Sequence, residues 1–564
     1  MCNYDLIIFN GPIFTSDINN KTVNAIGVKN GYVTYIGNQE DIAEDIKVCP
    51  NTIDLNGKFA MPGLIDSHMH PFWGAKQLVE TSLDYQSLDI DGILTELQKD
   101  LDEDKKSANT DDDWFIVRAW LCIGGTFIDR ASLDKLKTNR PIVLFSNDCH
   151  YLSLNTIALE KINILNNAPV PDNGVIVLDE HNHPTGLIED GAAMEFFDKI
   201  TASDVEHGIY IFDIAQKKLN SQGVTTIMDA RALDEEFKIF KEMENRDILT
   251  LRILGAFEVK KRDVIPRANF QEWISRYQSF VSNYSTAKWS AAKPSLYVHQ
   301  SKFFIDGMMP SHTAYMLEPY FERKDGKLVP TTNYGQSYLS QDDLEFAFLE
   351  CAKLGIDPHA HTIADGAINI ALNAIENFRN LGFTDIRPAL AHCDVTAPEQ
   401  YARFKNLDVS ANLSFQWSGY PQNMIDLHHE LLGDEQIKVK FETHGKFFDA
   451  GVNVAYNSDW PIDPMNEWFN LQVGLTRRID QTTPRLDSDR NLTPLEVLKA
   501  ATINAAYALK KEKEIGSLEL NKFADIIVLD QNPFEIDPNL FSTIQVMKTI
   551  IGGHVVYEKN KLEN

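Results

Sequence analysis

The chain has 564 residues, 43% of them hydrophobic and 24% charged, which fits a globular protein with more than one core. Its net charge of −28 and pI near 4.9 exclude nucleic acid and anionic membranes as main partners, since both demand a basic face. No run of 18 apolar residues spans a membrane, and Met1 to Ile13 lacks the basic start and apolar stretch of a secretion signal. Cys2, Cys49, Cys122, Cys149, Cys351 and Cys393 are scattered without CxxC pairing, so reduced thiols and a cytoplasmic location are expected.

The first sixty residues read as short strands: Tyr4 to Phe9, Ala25 to Lys29, Tyr32 to Ile36 and a segment around Ile53. Asn30-Gly31 supplies a hairpin turn between two of them. Leu64 to His70 is the first of eight longer strand-like runs. The second, Val224 to Ala230, lies too far along the chain for one crossover helix, so residues 76–215 read as an α+β insertion. Within it, Asp100 to Asp113 is an acidic patch interrupted by Lys105 and Lys106, expected as a solvated helix end or loop. Gly174 to Ile188 reads as a hairpin turning through Asp179-Glu180-His181-Asn182-His183-Pro184.

The remaining runs are Leu249 to Val259, Leu296 to Asp306, Gly355 to His361, Arg387 to Asp394, Asp408 to Leu413 and Asn453 to Trp460. Most are followed by helical periodicity, which predicts an α/β fold of the (β/α)8 TIM-barrel type. A doubly wound open sheet is the alternative. At the far end, Ala524 to Leu529 is a buried-type strand, and Met547 to Ile551 and His554 to Tyr557 flank Gly552-Gly553. The two ends are expected to meet in one small β-sandwich domain rather than form two separate caps. The expected units are 1–62 plus 505–564 for that domain, 63–75 plus 216–504 for the barrel, and 76–215 for the insertion.

Chemistry-bearing residues gather at the ends of these runs, where a barrel carries its active site. In Asp66-Ser67-His68-Met69-His70 the two histidines stand two apart, hence on one face of a strand, a spacing that suits zinc or a similar borderline metal. His361 in Asp357-Pro358-His359-Ala360-His361 lies nearest its strand end and is a candidate ligand. His359 reads either as a residue that orients a ligand or as a packed barrel residue. His392 closes Ala389-Leu390-Ala391-His392, and Asp459 offers a carboxylate able to bind metal and accept a proton from water. Lys302 sits in the largely apolar Val298 to Asp306. A lysine there is costly unless paired or modified, so it is either salt-bridged, for instance to Asp306, or converted by CO2 into a carbamate that can bridge two metals. No Gly-x-Ser-x-Gly elbow is present to support a serine hydrolase.

Taken together these motifs resemble the metal-dependent amidohydrolase superfamily over nearly the whole chain. They most resemble its amidohydrolase family 3 branch, which includes YtcJ-like proteins and N-substituted formamide deformylase. Met61 to His70 is similar to the first-strand signature, Lys302 to Gly307 to the fourth-strand lysine motif, and His361-Thr362-Ile363-Ala364-Asp365 to a His-Ala-Ile-Gly-Asp motif with Ala364 replacing glycine. His392 and Ser458-Asp459-Trp460-Pro461 match the sixth and eighth strands. Gly516 to Glu519 with Ala524-Asp525 resembles the closing β-sandwich segment.

The resemblance implies His68 and His70 on a buried metal, His361 and His392 on a second, Lys302 as bridge, and Asp459 as ligand and general base. The cofactor would be one or two Zn2+ or other divalent ions, with CO2 for carboxylation of Lys302. The branch's Asp-Gly-His stretch corresponds to Asp148-Cys149-His150, where Cys149 replaces glycine and so bears on whether His150 reaches substrate. Trp73, Trp120, Trp417 and Trp460 are candidates to wall a substrate pocket, against the plainer reading of core aromatics. The implied activity is hydrolysis of a small-molecule amide, an N-acyl or N-formyl amine, by metal-activated water, in a homodimer. A deaminase or esterase of the same superfamily and a non-catalytic metal-binding barrel are the rivals.

Overall fold

All eight runs form strands, and in the computed structural model they lie side by side in chain order. We number them β1 (Leu64–Met69), β2 (Val224–Ala232), β3 (Arg252–Glu258), β4 (Leu296–Phe304), β5 (Asp357–Thr362), β6 (Ala389–His392), β7 (Ser410–Ser414) and β8 (Val454–Asn457). Every neighbouring pair is parallel. The order has no reversal point, so the doubly wound alternative does not hold. The described residues are 2–104, 114–121, 127–166 and 174–559. Most of the acidic patch, 105–113, and Cys122 lie outside them. The other five cysteines are free thiols, and no helix among the described residues is long and apolar enough to cross a membrane.

The sheet curls until β8 meets β1. No regular ladder joins them, but Ser67 Oγ donates to Tyr456 O at 2.6 Å and the Asp459 amide donates to His68 O at 3.1 Å. The barrel is therefore nearly closed, and its last contacts lie beside the candidate ligands. Strands β1, β2 and β5 to β8 are buried at every position, as parallel strands covered on both faces must be.

The chain ends share one mixed sheet. Its strands run His554–Glu558, Val546–Ile551, Ile526–Leu529, Phe59–Pro62, Leu6–Phe14, Thr22–Lys29 and Tyr32–Gly37, with Thr52–Asp54 beside Leu6–Phe14. Asn30 and Gly31 turn with φ of 51° and 81°, the left-handed pair that a two-residue hairpin requires. A buried, bidentate ion pair ties this sheet to the barrel floor: Arg252 at the start of β3 donates to Asp525 at 2.7 and 3.0 Å.

Between β1 and β2 the chain builds a six-stranded sheet, from Gly174–Leu178 at one edge to Thr81–Ser82 at the other. The hairpin of 174–189 is present, and Asp179 accepts the amides of His181 and His183 at 2.8 Å to shape its turn. The expected insertion boundary at 215/216 falls inside one helix, Val205–Ser221. Its Ile209, Phe212 and Leu219 belong to the barrel's own hydrophobic core. One core of the insertion includes Trp73, Phe304 and Ile462, so this layer packs onto the strand ends of the barrel.

Candidate metal centre

His68 and His70 leave the end of β1 on one face, with His70 directly before the helix Pro71–Gln77. Asp459, two residues past β8, reaches both: its Oδ1 is 3.5 Å from His68 Nε2 and 3.7 Å from His70 Nε2. Its Oδ2 is 3.9 Å from Nδ1 of His392, the last residue of β6. Donor atoms of His68, His392 and Asp459 all lie within 4.8 Å of one another. The His361 ring is centred 4.7 Å from that of His392.

Ladder register sets these positions. Lys302 pairs with His359, Phe304 with His361, and Thr362 with His392. Lys302 is fully buried, and its Nζ lies 3.2 Å from His68 Nε2. The alternative ion pair to Asp306 does not form: that carboxylate accepts the amides of Tyr315, Ile363 and Ala364. His359 orients His68, with its Nε2 2.7 Å from His68 Nδ1. His392 and Asp459 hold φ at 76° and 52°, left-handed values costing non-glycine residues about 1–3 kcal/mol each.

Burial is the main force on these groups. It holds His68, His70, His361 and His392 well below the ordinary histidine range. Lys302's positive charge adds to this at all four, and at His361 the neighbouring His392 outranks it. Burial also raises the Asp459 carboxyl, against Lys302, and lowers the Lys302 amine to about 7, against Asp459. The rings are thus neutral and able to ligate. His361 Nε2, His392 Nδ1 and Asp459 Oδ1 are buried without hydrogen-bond partners. Unpaired buried nitrogen and oxygen atoms lining one cavity fit a divalent cation of the zinc type.

A small cavity of about 30 Å3 opens onto this cluster, and the insertion supplies part of its wall through Asp148, Cys149, His150 and Met194. Trp73 and Trp417 line it, stacked on His70 and His392 at 4.9 and 5.1 Å. Cys149 takes φ of 62°, the conformation for which glycine is the usual choice, so replacing glycine does not withdraw His150 from the cavity. Ala364 sits at φ −116°, where glycine has no advantage.

Of the two readings open for the tryptophans, Trp120 and Trp460 fit the core aromatic. Trp120 packs inside the insertion's second core with Leu83, Ile128 and Tyr151, because its strand turns that face away from the barrel. Trp460 is buried against Gly74 beneath the helix Pro71–Gln77. Neither lines the cavity.

Several residues were not singled out from sequence. Asp66 accepts the amides of His68 and Ser458 and so pins β1 to β8 at the site. A second small cavity, of about 40 Å3, adjoins the first, sharing His150, Met194 and Phe304 with it. Asp190, Arg231, Glu258 and Tyr338 also line it. These residues come from elements distant in sequence, and no local motif marks them.

A family model described as "Amidohydrolase family" matches residues 51–557. The YtcJ protein of Bacillus subtilis (strain 168), described as an amidohydrolase, is 26% identical, with 98% of this chain and 99% of that one covered. N-substituted formamide deformylase of Arthrobacter pascens is 24% identical, covering 98% of each chain. Among solved structures, a metal-dependent hydrolase from Pyrococcus horikoshii OT3 has the same fold, with a TM-score of 0.72 at 20% identity, covering 94% of this chain and 99% of that one.

Proposed function

We propose that this chain, which belongs to the amidohydrolase family, hydrolyses a non-peptide carbon–nitrogen bond of a small molecule, an N-formyl or N-acyl amine, at a zinc centre. The observation that carries the reading is the convergence of His68, His392 and Asp459 donor atoms within 4.8 Å, with His70, His361 and Lys302 around them. The formamide substrate class is supported by the printed name of a full-length relative. In this reading His68 and His70 would hold one ion and His361 and His392 a second, with Asp459 as a further ligand, and Lys302, carboxylated by CO2, would be a shared ligand. The low proton affinity of its buried amine favours that reaction, because only the neutral amine attacks CO2.

A divalent ion, were it held there, would supply Lewis acidity and bring the pKa of water down toward neutrality. Asp459 takes the proton of the attacking water and later delivers it to the leaving amine nitrogen. Burial raises that carboxyl, which suits a group that must hold a proton between the two steps. Trp73 and Trp417 exclude bulk water and offer apolar walls to the substrate. The barrel of 63–75 plus 216–504 carries the chemistry. The insertion of 76–215 and the composite β-domain of 1–62 plus 505–564 complete the proposed organisation.

The deciding experiment is metal content per chain, by elemental analysis of protein prepared without chelator, in wild type and Lys302→Ala. Two ions falling to one or none in the variant is the expected result. One ion in both removes Lys302 from the ligand set. No metal in either, even after reconstitution with zinc and bicarbonate, overturns the reading.

A further inference from the structure

The second cavity takes no part in the ligand set, and its size and walls define what it can hold. It measures about 40 Å3, room for roughly three water-sized groups at about 10–15 Å3 each. It shares wall residues with the cavity at the ligand cluster, so a molecule whose reacting bond sits at the cluster extends into it. Its polar wall comes from four separate elements. Arg231 lies near the end of β2, Glu258 ends β3, Asp190 and Glu195 lie on the helix Asp190–Ile200, and Tyr338 lies between β4 and the helix Gln341–Lys353. The Tyr338 amide donates to Ile305 O at 2.8 Å, which fastens that segment to the end of β4.

Most of these charges are already matched. Arg231 donates to Asp198 at 2.7 Å and packs over the Trp73 ring at 5.2 Å. Asp190 Oδ1 lies 2.8 Å from His150 Nδ1. Glu195 is met by Lys199 at 3.0 Å, Arg262 at 3.3 Å and Lys260 at 3.4 Å. Two groups are left short. Glu258 Oε1 lies 3.3 Å from Arg231 Nε, but its Oε2 makes no hydrogen bond, and Lys260 stands off from it at 3.7 Å. Tyr338 is 7% exposed, and its hydroxyl lies close to Asp190 without completing a hydrogen bond. Buried polar atoms are almost always matched, so both call for a partner.

We propose that this cavity is the subsite for an ammonium group that the substrate carries two carbons from its scissile amide, held by Glu258 and Tyr338. The proposal deepens the hydrolase reading above and rests on it for the position of the reacting bond. A carboxylate oxygen only accepts, and a phenol oxygen accepts as well as donates, so the missing partner is a group with several N–H donors. An ammonium supplies three in little more than the space of a water, and a hydrogen bond between charged groups is the stronger kind. Met194, Val259 and Phe304 make the rest of the wall apolar, which suits a short methylene stem. Arg231 is then a positioning residue. Its charge is already divided between Asp198 and Glu258, which disfavours an anionic ligand and holds Glu258 in place.

Three probes of similar length test this: mono-N-formylethylenediamine, N-formylpropylamine, which puts a methyl group in place of the ammonium, and N-formylglycine, which puts a carboxylate there. Binding is measured on metal-free protein, where no amine can ligate zinc, and formate release on zinc-loaded protein. The ammonium probe should bind about tenfold or more tighter than the methyl probe, the usual worth of a hydrogen bond to a charged group. Glu258→Gln should erase most of that preference. Tyr338→Phe, on a different element, should reduce it and guards against a rearrangement of Arg231 in the first variant. Equal binding of the ammonium and methyl probes, a preference for N-formylglycine, no binding of any probe, or a preference unchanged in both variants overturns the subsite. The hydrolase reading fails separately. An ammonium preference in binding with no formate released from any probe supports the subsite and counts against deformylation. Formate released equally from all three supports deformylation and overturns the subsite.

Discussion

His359 sets the direction of His68: its Nε2 lies 2.7 Å from His68 Nδ1, one step below His361 on the same face of β5. The partner edge of His68, Nε2, then faces Lys302 at 3.2 Å and Asp459 at 3.5 Å. One imidazole is thus held by another, in a place where carboxylates or backbone carbonyls are the usual orienting groups.

His359→Leu should therefore weaken zinc binding about 10–100-fold, the usual loss when an orienting partner is removed. Competition against a fluorescent chelator measures this. An unchanged affinity would mean that His359 only fills space in the barrel.

Lys302 makes a pH prediction. Its amine titrates near 7 in the folded chain, against 10.5 for a free lysine. Between those values the unfolded chain holds a proton that the folded chain has released, so stability of the metal-free protein should rise with pH across that window. The slope is at most about 1.4 kcal/mol per pH unit. Denaturant titrations of wild type and Lys302→Met from pH 7 to 9 read it. A slope that survives in the variant would assign the effect to another group.

Gly74 carries the contact that buries Trp460. A Cβ built there falls 2.4 Å from the indole ring, with nowhere for a fully buried tryptophan to retreat. Gly74→Ala should cost about 1–3 kcal/mol by overpacking and also disturb the helix that follows His70. Thermal unfolding together with zinc affinity tests both halves. A variant as stable as wild type would show that the Trp460 side chain yields easily.

The Arg252–Asp525 pair predicts a larger loss. Asp525→Ala leaves a buried guanidinium with only the carbonyls of Ser290, Ala291 and Lys293. The expected cost is about 3–5 kcal/mol. The drop should appear in the denaturation midpoint and be smaller in a double variant, Arg252→Met with Asp525→Ala, because the unpaired charge is then gone.

The barrel was legible because five of its eight strands end in chemistry-bearing motifs and the strands follow chain order. Period-two spacing put His68 and His70 on one face, and strand ends pointed to His361, His392 and Asp459. The choice between the two readings of His359 needed coordinates, since a ligand's partner and a packing residue look alike in sequence. The choice between pocket wall and core for Trp120 and Trp460 also needed coordinates, because a tryptophan near a strand end carries no sign of which side its ring takes. Asp190 and Arg231 were missed for a related reason. Both line a cavity between segments distant in the chain, and such a placement leaves no local pattern.

The shared sheet of the two chain ends has a consequence for biosynthesis. Phe59–Pro62 pairs on one side with Ile526–Leu529, more than 450 residues later, so this early strand waits for almost the whole polypeptide before its ladder is filled. Until then a nascent chain carries an apolar open edge, the kind of surface that chaperones bind and that seeds aggregation. Chains truncated before residue 526 should be held by such factors, and chains released with residues 526–551 in place should not.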